Sequence, residues 1–244
     1  ISYFRRRQSE GFLGDLRKYF RRGIGIVMAG YLLNAVMLPR GPVPPEERFW
    51  HGGVLQTIGL CIIVLGPLVP ALSRRAARWG LLALAVLIYL SFGWSIPALT
   101  RWCAAHPTLG LMAFGDFPPW PWVAPAIIGL VLGWTWLDAR ERGPGAEARY
   151  FAAAAVLGLL FLAAYYVWEW RVPTTPRFGF PRDFGLNHYW TPRGVTTFLI
   201  VAGVALLLAL CYWLMEVRRR ELPWLVTLGQ TALILYFAHQ VIEE

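Results

Sequence analysis

Long apolar runs divide the chain, and short polar or proline-containing stretches separate them. Runs of about 20 apolar residues are long enough to cross a hydrocarbon core of about 30 Å as α-helices. The pattern predicts an all-α integral membrane protein, a bundle of about seven transmembrane helices in one polytopic domain covering residues 1–244. The predicted helices are approximately 23–38, 53–72, 79–99, 123–137, 150–170, 194–215 and 222–242.

The stretch before the first run has a different pattern. Residues 5–22 are rich in Lys and Arg, and Phe12, Leu13, Leu16 and Phe20 recur between these cations at helical spacing. Apolar residues on one helical face and cations on the other are typical of a helix that lies in the membrane surface. We therefore expect an amphipathic basic segment at the interface, ahead of the first crossing.

Uncharged polar side chains interrupt several of the apolar runs, at Asn34, Gln56, Thr227, Gln230 and Thr231. An amide within the hydrocarbon needs a hydrogen-bond partner from another helix or from a cavity, so we expect Gln56 and Gln230 to face protein. Two interpretations of these amides are open. They line a polar pocket, or they form single interhelical hydrogen bonds that aid packing.

Two local patterns concern the start and the packing of the fourth predicted helix. The run FPPWPW at 117–122 contains three prolines, which lack the backbone donor and predict a non-helical segment. Gly129 and Gly133 then form a GxxxG spacing, which favours close contact with another helix.

The distribution of charge orients the predicted bundle. Most of the 23 Lys and Arg residues fall on one side, which is cytoplasmic by the positive-inside rule. His51, His106, His188 and His239 fall on the other side. We expect the first residue to be cytoplasmic, the last residue to be extracytoplasmic, and any titratable chemistry near neutral pH to be at the outer face.

Composition and motifs exclude several classes of function. The chain is 57% hydrophobic with a mean hydropathy of +0.48, which excludes a soluble domain. Its net charge of +9 lies in short clusters between apolar runs, as topology signals do, so no nucleic-acid partner is expected. The sequence has no phosphate-binding loop, dinucleotide fingerprint, HExxH or GxSxG motif. The three cysteines have neither disulfide-framework nor metal-binding spacing, so no metal site is expected.

Four segments, in order along the chain, carry a resemblance to a known family. Gly53–Leu65 reads GVLQTIGLCIIVL, and Phe117–Trp134 is a proline- and aromatic-rich entry into a helix. Asn187–Val217 begins NHYW and continues into an apolar helix, and Leu228–Glu244 contains a tyrosine and a histidine three residues apart. Together they resemble the heparan-α-glucosaminide N-acetyltransferase family of polytopic membrane acyltransferases and its bacterial members.

The resemblance implies transfer of an acetyl or other acyl group from cytoplasmic acetyl-CoA, as co-substrate, to an extracytoplasmic sugar or glycolipid. It also implies a location in the bacterial cytoplasmic (inner) membrane and an active-site histidine, which by this alignment precedes Ile1. The opening ISYFRRRQ reads as the exit of an earlier membrane helix, so we expect the chain to be N-terminally incomplete. Thr57 stands where the family usually has arginine, and Gln230 where it usually has asparagine.

Candidate site residues follow from the resemblance. Guanidinium groups at the inner rim suit the phosphates of CoA, and the candidates are Arg21, Arg22, Arg74, Arg75, Arg218, Arg219 and Arg220. Amide groups can donate to the carbonyl oxygen of a thioester, and an imidazole can accept the proton of the attacking group. The candidate pocket residues are Gln56, Asn187, His188, Trp190, Gln230, Tyr236 and His239, the last at the outer mouth.

A second hypothesis is a non-catalytic acyltransferase-like subunit that packs in a larger membrane protein complex. The changed residues at positions 57 and 230 and the 13 tryptophans, which suit lateral contacts, motivate it. A lipid or polysaccharide exporter is a weaker third hypothesis, because the two halves show no inverted repeat. The expected partners are therefore membrane lipids, the sugar or glycolipid acceptor, and subunits of such a complex.

Overall fold

The computed structural model describes residues 11–37, 49–114, 117, 119–171, 194–221, 223–224, 227 and 231. Its α-helices are α1 (Gly11–Met37), α2 (Val54–Leu65), α3 (Arg75–Ala105), α4 (Pro107–Phe114), α5 (Pro119–Glu141), α6 (Pro144–Arg171) and α7 (Gly194–Tyr212). A 3-10 helix, Gly66–Ser73, continues α2, and a π-helical turn, Trp213–Val217, continues α7. The described residues contain no β-strand, and the predicted all-α class is confirmed.

Four helical stretches are long and apolar enough to cross a membrane. They are Val54–Ser73, Trp122–Glu141, Pro144–Val167 and Leu199–Val217, and they correspond to the second, fourth, fifth and sixth predicted crossings. The first and third predicted crossings lie in α1 and α3, which are not among these four. The seventh lies outside the described residues except for a few positions. The count of seven crossings and the single-domain boundary therefore stay predictions.

The amphipathic segment and the first predicted crossing belong to one continuous helix from Gly11 onward. No proline interrupts α1 between its basic half and its apolar half, so the backbone hydrogen bonds continue through Arg22 and Gly23. Within 11–37 the basic segment and the first predicted crossing are therefore not separated by any interruption of the helix. Its position in the membrane surface stays a prediction.

Prolines explain why the second crossing changes its helix type. Pro67 lies in the first turn of the 3-10 helix and Pro70 lies inside it. Each proline removes a backbone donor that an α-helix would use, and a tighter helical turn accommodates the loss. Val54–Ser73 thus remains one apolar helical stretch although its hydrogen-bond pattern changes at Gly66.

The prediction of a non-helical segment through Trp122 is confirmed at Trp120 and wrong at Pro119, Pro121 and Trp122. Helix α5 begins at Pro119, and only Trp120 departs from helical geometry, with φ −99° and ψ 109°. Trp120 precedes Pro121, whose ring disfavours the α conformation of the residue before it. Prolines are tolerated in the first turn of a helix, where the backbone donors have no intrahelical partner, so this run starts a helix and does not prevent one.

The core of the bundle lies between α2, α3 and α5. One cluster of buried apolar side chains joins these three helices near their middle: Leu65, Ala85, Ile88, Ala124 and Ile127. A second cluster, Val69, Leu72, Val131 and Trp134, continues it toward the start of α3. Helices α6 and α7 pack against each other, with Phe151 stacked on Tyr212 at 4.3 Å between ring centroids.

Glycines set the contact between α1 and α2, which pack in antiparallel orientation. A Cβ built on Gly59 would lie 2.6 Å from the carbonyl oxygen of Gly23, and one built on Gly30 would lie 2.6 Å from Cδ of Gln56. Real Cβ atoms do not approach so closely. The backbones can touch at Gly23 and Gly59, and the Gln56 side chain can lie against Gly30, only because these glycines lack a Cβ. We call this contact the α1–α2 interface.

The GxxxG pair at Gly129 and Gly133 was predicted to form a packing contact, and this is wrong for Gly129. Gly129 is exposed, and a Cβ built on it would meet no atom within 4 Å among the described parts of the chain. In α5 the buried face is instead formed by Ala124, Ile127 and Val131. Spacing alone does not show which face of a helix meets its neighbour.

We predict opposite effects for Gly23→Ala and Gly25→Ala, two glycines of α1 that differ in their surroundings. The new methyl group at position 23 would lie 2.7 Å from the carbonyl oxygen of Gly59, whereas position 25 has nothing within 4 Å. Gly25→Ala should be neutral or stabilising by up to about 1 kcal/mol, because alanine favours a helix. Gly23→Ala should lower the midpoint of thermal unfolding in detergent. Equal midpoints for the two variants would contradict a close α1–α2 interface.

Candidate functional site

A group of polar contacts lies where α1 ends and α2 begins. Nδ2 of Asn34 donates to the carbonyl oxygens of Phe49 at 3.0 Å and of His51 at 2.8 Å, which ties the segment before α2 to α1. The backbone N–H of Phe117 donates to the carbonyl oxygen of Gly52 at 3.4 Å, which brings the segment before α5 to the same place. We call this part of the bundle, formed by residues 49–53 and 117, the His51 end.

Gln56 is buried in the α1–α2 interface, as expected for an amide that faces protein. Its side chain is 7% exposed, and its Oε1 accepts a 3.2 Å hydrogen bond from the backbone N–H of Gly53 at the N-cap of α2. Its Nε2 is also buried and has no hydrogen-bond acceptor among the described residues. A buried donor without a partner costs about 1–3 kcal/mol, so a ligand or a water that accepts from Nε2 would stabilise this site.

Thr57 follows Gln56 in sequence but faces another neighbour. Its side chain is 5% exposed, and its hydroxyl donates a short hydrogen bond to the carbonyl oxygen of Phe117. The Phe117 ring packs against Trp122 with centroids 5.1 Å apart. Thr57 therefore fixes the backbone ahead of α5 over the N-terminal turn of α2.

A cavity of about 580 Å³ lies between α2 and α5, next to Thr57. Its walls are almost entirely apolar. From α2 and the 3-10 helix they include Val54, Thr57, Ile58, Cys61, Ile62, Leu65, Gly66 and Val69. From the other elements they include Tyr19, Phe117, Trp122, Pro125, Ala126 and Leu130. The His51 end closes one end of this cavity, and Tyr19 of α1 lies at the other.

The two polar residues of α2 thus serve different surfaces. Successive residues of an α-helix are rotated by about 100°, so Gln56 lies against α1 while Thr57 faces the cavity. Gln56 is not among the residues that line the cavity. Thr57 is therefore the polar residue of α2 that faces the cavity, and its hydroxyl donates to the carbonyl oxygen of Phe117.

The opposite end of the bundle carries arginines, and we call it the arginine end. Arg78, near the start of α3, forms an ion pair with Asp138, near the end of α5, and its Nε donates to the carbonyl oxygen of Leu72 at 2.6 Å. Arg74 and Arg75 are exposed at this end. The stack of Phe151 on Tyr212 brings the end of α7 here too, followed by exposed Arg218, Arg219 and Arg220.

Arg21 and Arg22 lie at a different level from the other candidate arginines. The neighbouring Gly23 packs on Gly59 and Ile63 of α2. From Ile63 to Arg74 the chain advances about 20 Å, at about 1.5 Å per α-helical and 2.0 Å per 3-10 residue. Both side chains are exposed. A guanidinium this far along a membrane-crossing stretch requires water, an anion or a path to the surface.

The sequence model of a family described as heparan-alpha-glucosaminide N-acetyltransferase, catalytic, matches residues 1–169. The chain belongs to this family. The match covers α1 to α5 and nearly all of α6, and so includes the cavity, the α1–α2 interface and the Arg78–Asp138 pair. No curated protein and no solved structure gives a significant match.

Membership makes the chain an acetyltransferase-like membrane protein, and in general the family implies an acyl-CoA co-substrate. Of the predicted pocket residues, Gln56 is among the described residues, and it lies in the α1–α2 interface. Asn187, His188, Trp190, Gln230, Tyr236 and His239 lie outside the described residues. No group of three His, Cys, Asp or Glu side chains suited to a metal ion occurs within the described part of the chain.

Sequence reasoning missed the role of Thr57 and the glycines of the α1–α2 interface. Gly23 and Gly30 are seven residues apart, a spacing that keeps them on one helical face, so the signal was present in α1. The partner of Thr57 could not be found in this way. Its acceptor is a backbone carbonyl 60 residues away, and no residue type marks it in the sequence.

We expect Thr57→Val to be less stable than Thr57→Ser. Valine has the same shape as threonine but leaves the half-buried carbonyl of Phe117 without its donor, which should cost about 1 kcal/mol or more, whereas serine keeps the hydroxyl. Thermal unfolding of the full chain in detergent measures the difference. Hydrogen exchange of the Phe117 amide should also increase in Thr57→Val, and unchanged exchange in that variant would contradict the contact.

Proposed function

We propose that the protein transfers an acetyl or other acyl group from an acyl-CoA, bound on the side of the arginine end, to a hydroxyl or amine at the His51 end. The observation that carries this proposal is the family match over 1–169, which includes both ends of the described bundle. By the positive-inside rule the arginine end is cytoplasmic. The bacterial inner membrane and an extracytoplasmic sugar or glycolipid acceptor are what the family resemblance implies.

In the proposed reaction the acceptor's oxygen or nitrogen forms a bond to the acyl carbon, and the thioester C–S bond breaks. The proton of the acceptor ends on the sulfur of CoA. Negative charge develops on the carbonyl oxygen as the acceptor attacks, and a fixed donor nearby lowers that barrier. Nε2 of Gln56, buried at the His51 end without an acceptor among the described residues, is our candidate for this donor.

Arg22 is our first candidate for a phosphate ligand of CoA. It precedes Gly23, and Gly30, which contacts Gln56, lies seven residues or about 10 Å further along α1. Arg74 lies about 30 Å from Gln56 along α2 and the 3-10 helix, which is the full thickness of the hydrocarbon. A phosphate held at Arg22 therefore leaves far less distance for the pantetheine arm to cover to Gln56 than one held at Arg74.

We predict that Arg22→Ala weakens acetyl-CoA binding and that Arg21→Ala does so much less. Arg21 lies on the side of α1 away from α2, whereas Arg22 flanks the α1–α2 interface, since residues follow at about 100°. Loss of a charge-assisted hydrogen bond to phosphate should raise Kd roughly tenfold. Calorimetric titration of the protein in nanodiscs measures this. Equal effects of the two variants, or no acetyl-CoA binding by the unaltered protein, would contradict the proposal.

The role of Gln56 is separable from its contribution to packing. We expect Gln56→Leu to lower kcat roughly 100-fold, as loss of one oxyanion donor does, with Kd for acetyl-CoA nearly unchanged. Its unfolding midpoint should fall little, because the same change removes an unpartnered buried donor together with the hydrogen bond to Gly53. A lower midpoint with unchanged kcat would instead identify Gln56 as a packing residue only.

A further inference from the structure

The cavity between α2 and α5 has the chemistry of a hydrocarbon site. The hydroxyl of Thr57 donates its hydrogen bond to the carbonyl oxygen of Phe117, and most of the remaining wall is aliphatic or aromatic carbon. The pantetheine arm of CoA carries two amides and a hydroxyl, and burial of such groups without partners is costly. An alkyl chain needs no such partners, so the wall favours it.

The dimensions of the cavity suit a chain that enters from one leaflet. Along α5 it extends from Trp122 to Leu130, about 12 Å, and along α2 and the 3-10 helix from Val54 to Val69, about 24 Å. One leaflet contributes about 15 Å of the hydrocarbon core, a depth between these two lengths. The cavity is also open at its side, because Ile58 lines it and is 45% exposed.

The position of the cavity determines where the head group of such a chain would lie. Val54 and Thr57 line the end of the cavity next to the His51 end, and they are two residues and one residue from Gln56 in the sequence. A lipid whose chain occupies the cavity from that leaflet carries its head group beside the carbonyl oxygens of Gly52 and Phe117. This is also where the proposed acyl transfer takes place.

We propose that this cavity binds the hydrocarbon chain of a membrane-anchored acceptor, a sugar with a free amine or hydroxyl on a lipid chain. The inference rests on the proposed acyl transfer and specifies its acceptor class. The acyl group passes from the sulfur of CoA to the nitrogen or oxygen of the sugar, and the released proton ends on the CoA thiol. The chain contributes binding and position, and takes no part in bond making.

The test uses acetyl-CoA and a series of alkyl glucosaminides of increasing chain length, with free glucosamine for reference, on the full chain in nanodiscs. KM for the acceptor should fall more than roughly tenfold from the methyl to the dodecyl compound, because each buried methylene favours binding. Ile58→Trp, which fills the open side of the cavity, should remove most of this gain. Ala126→Phe, on the α5 wall, should act in the same direction.

Val64→Trp is the matched control. Val64 is on the same helix as Ile58 and similarly exposed, at 49%, but does not line the cavity, so the chain-length gain should persist. A KM that does not depend on chain length in the unaltered protein overturns the inference even where transfer to glucosamine proceeds. A gain that Ile58→Trp and Val64→Trp reduce equally also overturns it, since the chain then binds only to the general apolar surface.

A binding measurement separates this inference from the proposed function. A dodecyl glucosaminide with a photoreactive chain should label residues 54–69 and 122–130 in the unaltered protein and in Val64→Trp, and much less in Ile58→Trp. Absence of such labelling overturns the hydrocarbon site. Labelling without transfer to any acceptor keeps the site but overturns both the proposed function and the acceptor role that rests on it.

Discussion

The close approach of α1 and α2 is the constraint on which the rest of the described bundle depends. Gly23 and Gly59 meet backbone to backbone, and Gly30 meets the side chain of Gln56, so the separation of the two helices is set at positions that lack a Cβ. A contact of this kind fixes register as well as distance, because shifting α1 by one residue would put a side chain where a glycine is needed. Once α1 occupies one face of α2, the opposite face is left for α5 and the cavity.

The same constraint separates two neighbouring polar residues. The side chain of Gln56 packs against Gly30, and its Oε1 accepts a hydrogen bond from the backbone N–H of Gly53, which stabilises the first turn of α2. Thr57, rotated away from α1, ties α5 to α2 through Phe117. Two adjacent residues therefore connect three helices at the His51 end, and both are more than nine-tenths buried. The hydrogen bonds of Asn34, Thr57 and the Phe117 N–H at this end join different helices or the segments before them.

The length of the apolar runs was sufficient to predict the helical class and the four stretches that are apolar and long enough to cross a membrane. Proline and glycine positions were less reliable predictors. The prolines near Trp120 were predicted to prevent a helix, but they start one, because the first backbone N–H groups of a helix have no partner within it. Gly129 failed as a packing signal because its face of α5 meets no neighbour among the described residues.

The candidate site was predictable only in part. That Gln56 faces protein follows from the cost of an unpartnered amide in hydrocarbon. That it faces α1 and not the cavity depends on the rotation of α2, which the sequence does not specify. The depth of Arg21 and Arg22 was likewise hidden, because it depends on the register between two helices that are packed by glycines. Sequence placed all the candidate arginines at one rim, whereas packing places these two about 20 Å further along.

That difference in level matters for the proposed transfer, in which an acyl-CoA on the side of the arginine end must reach an acceptor at the His51 end. Arg78 is already engaged by Asp138 and by the carbonyl of Leu72, so the start of α3 is held by its own ion pair. A phosphate bound only at the arginine end would leave the pantetheine arm to cover nearly a membrane thickness to the His51 end. Guanidinium groups partway along α1 lie between the two ends. The free-energy cost of a charged side chain at that depth is offset only when an anion or water accompanies it. The register set by three glycines thereby determines how far into the bundle a charged co-substrate must reach.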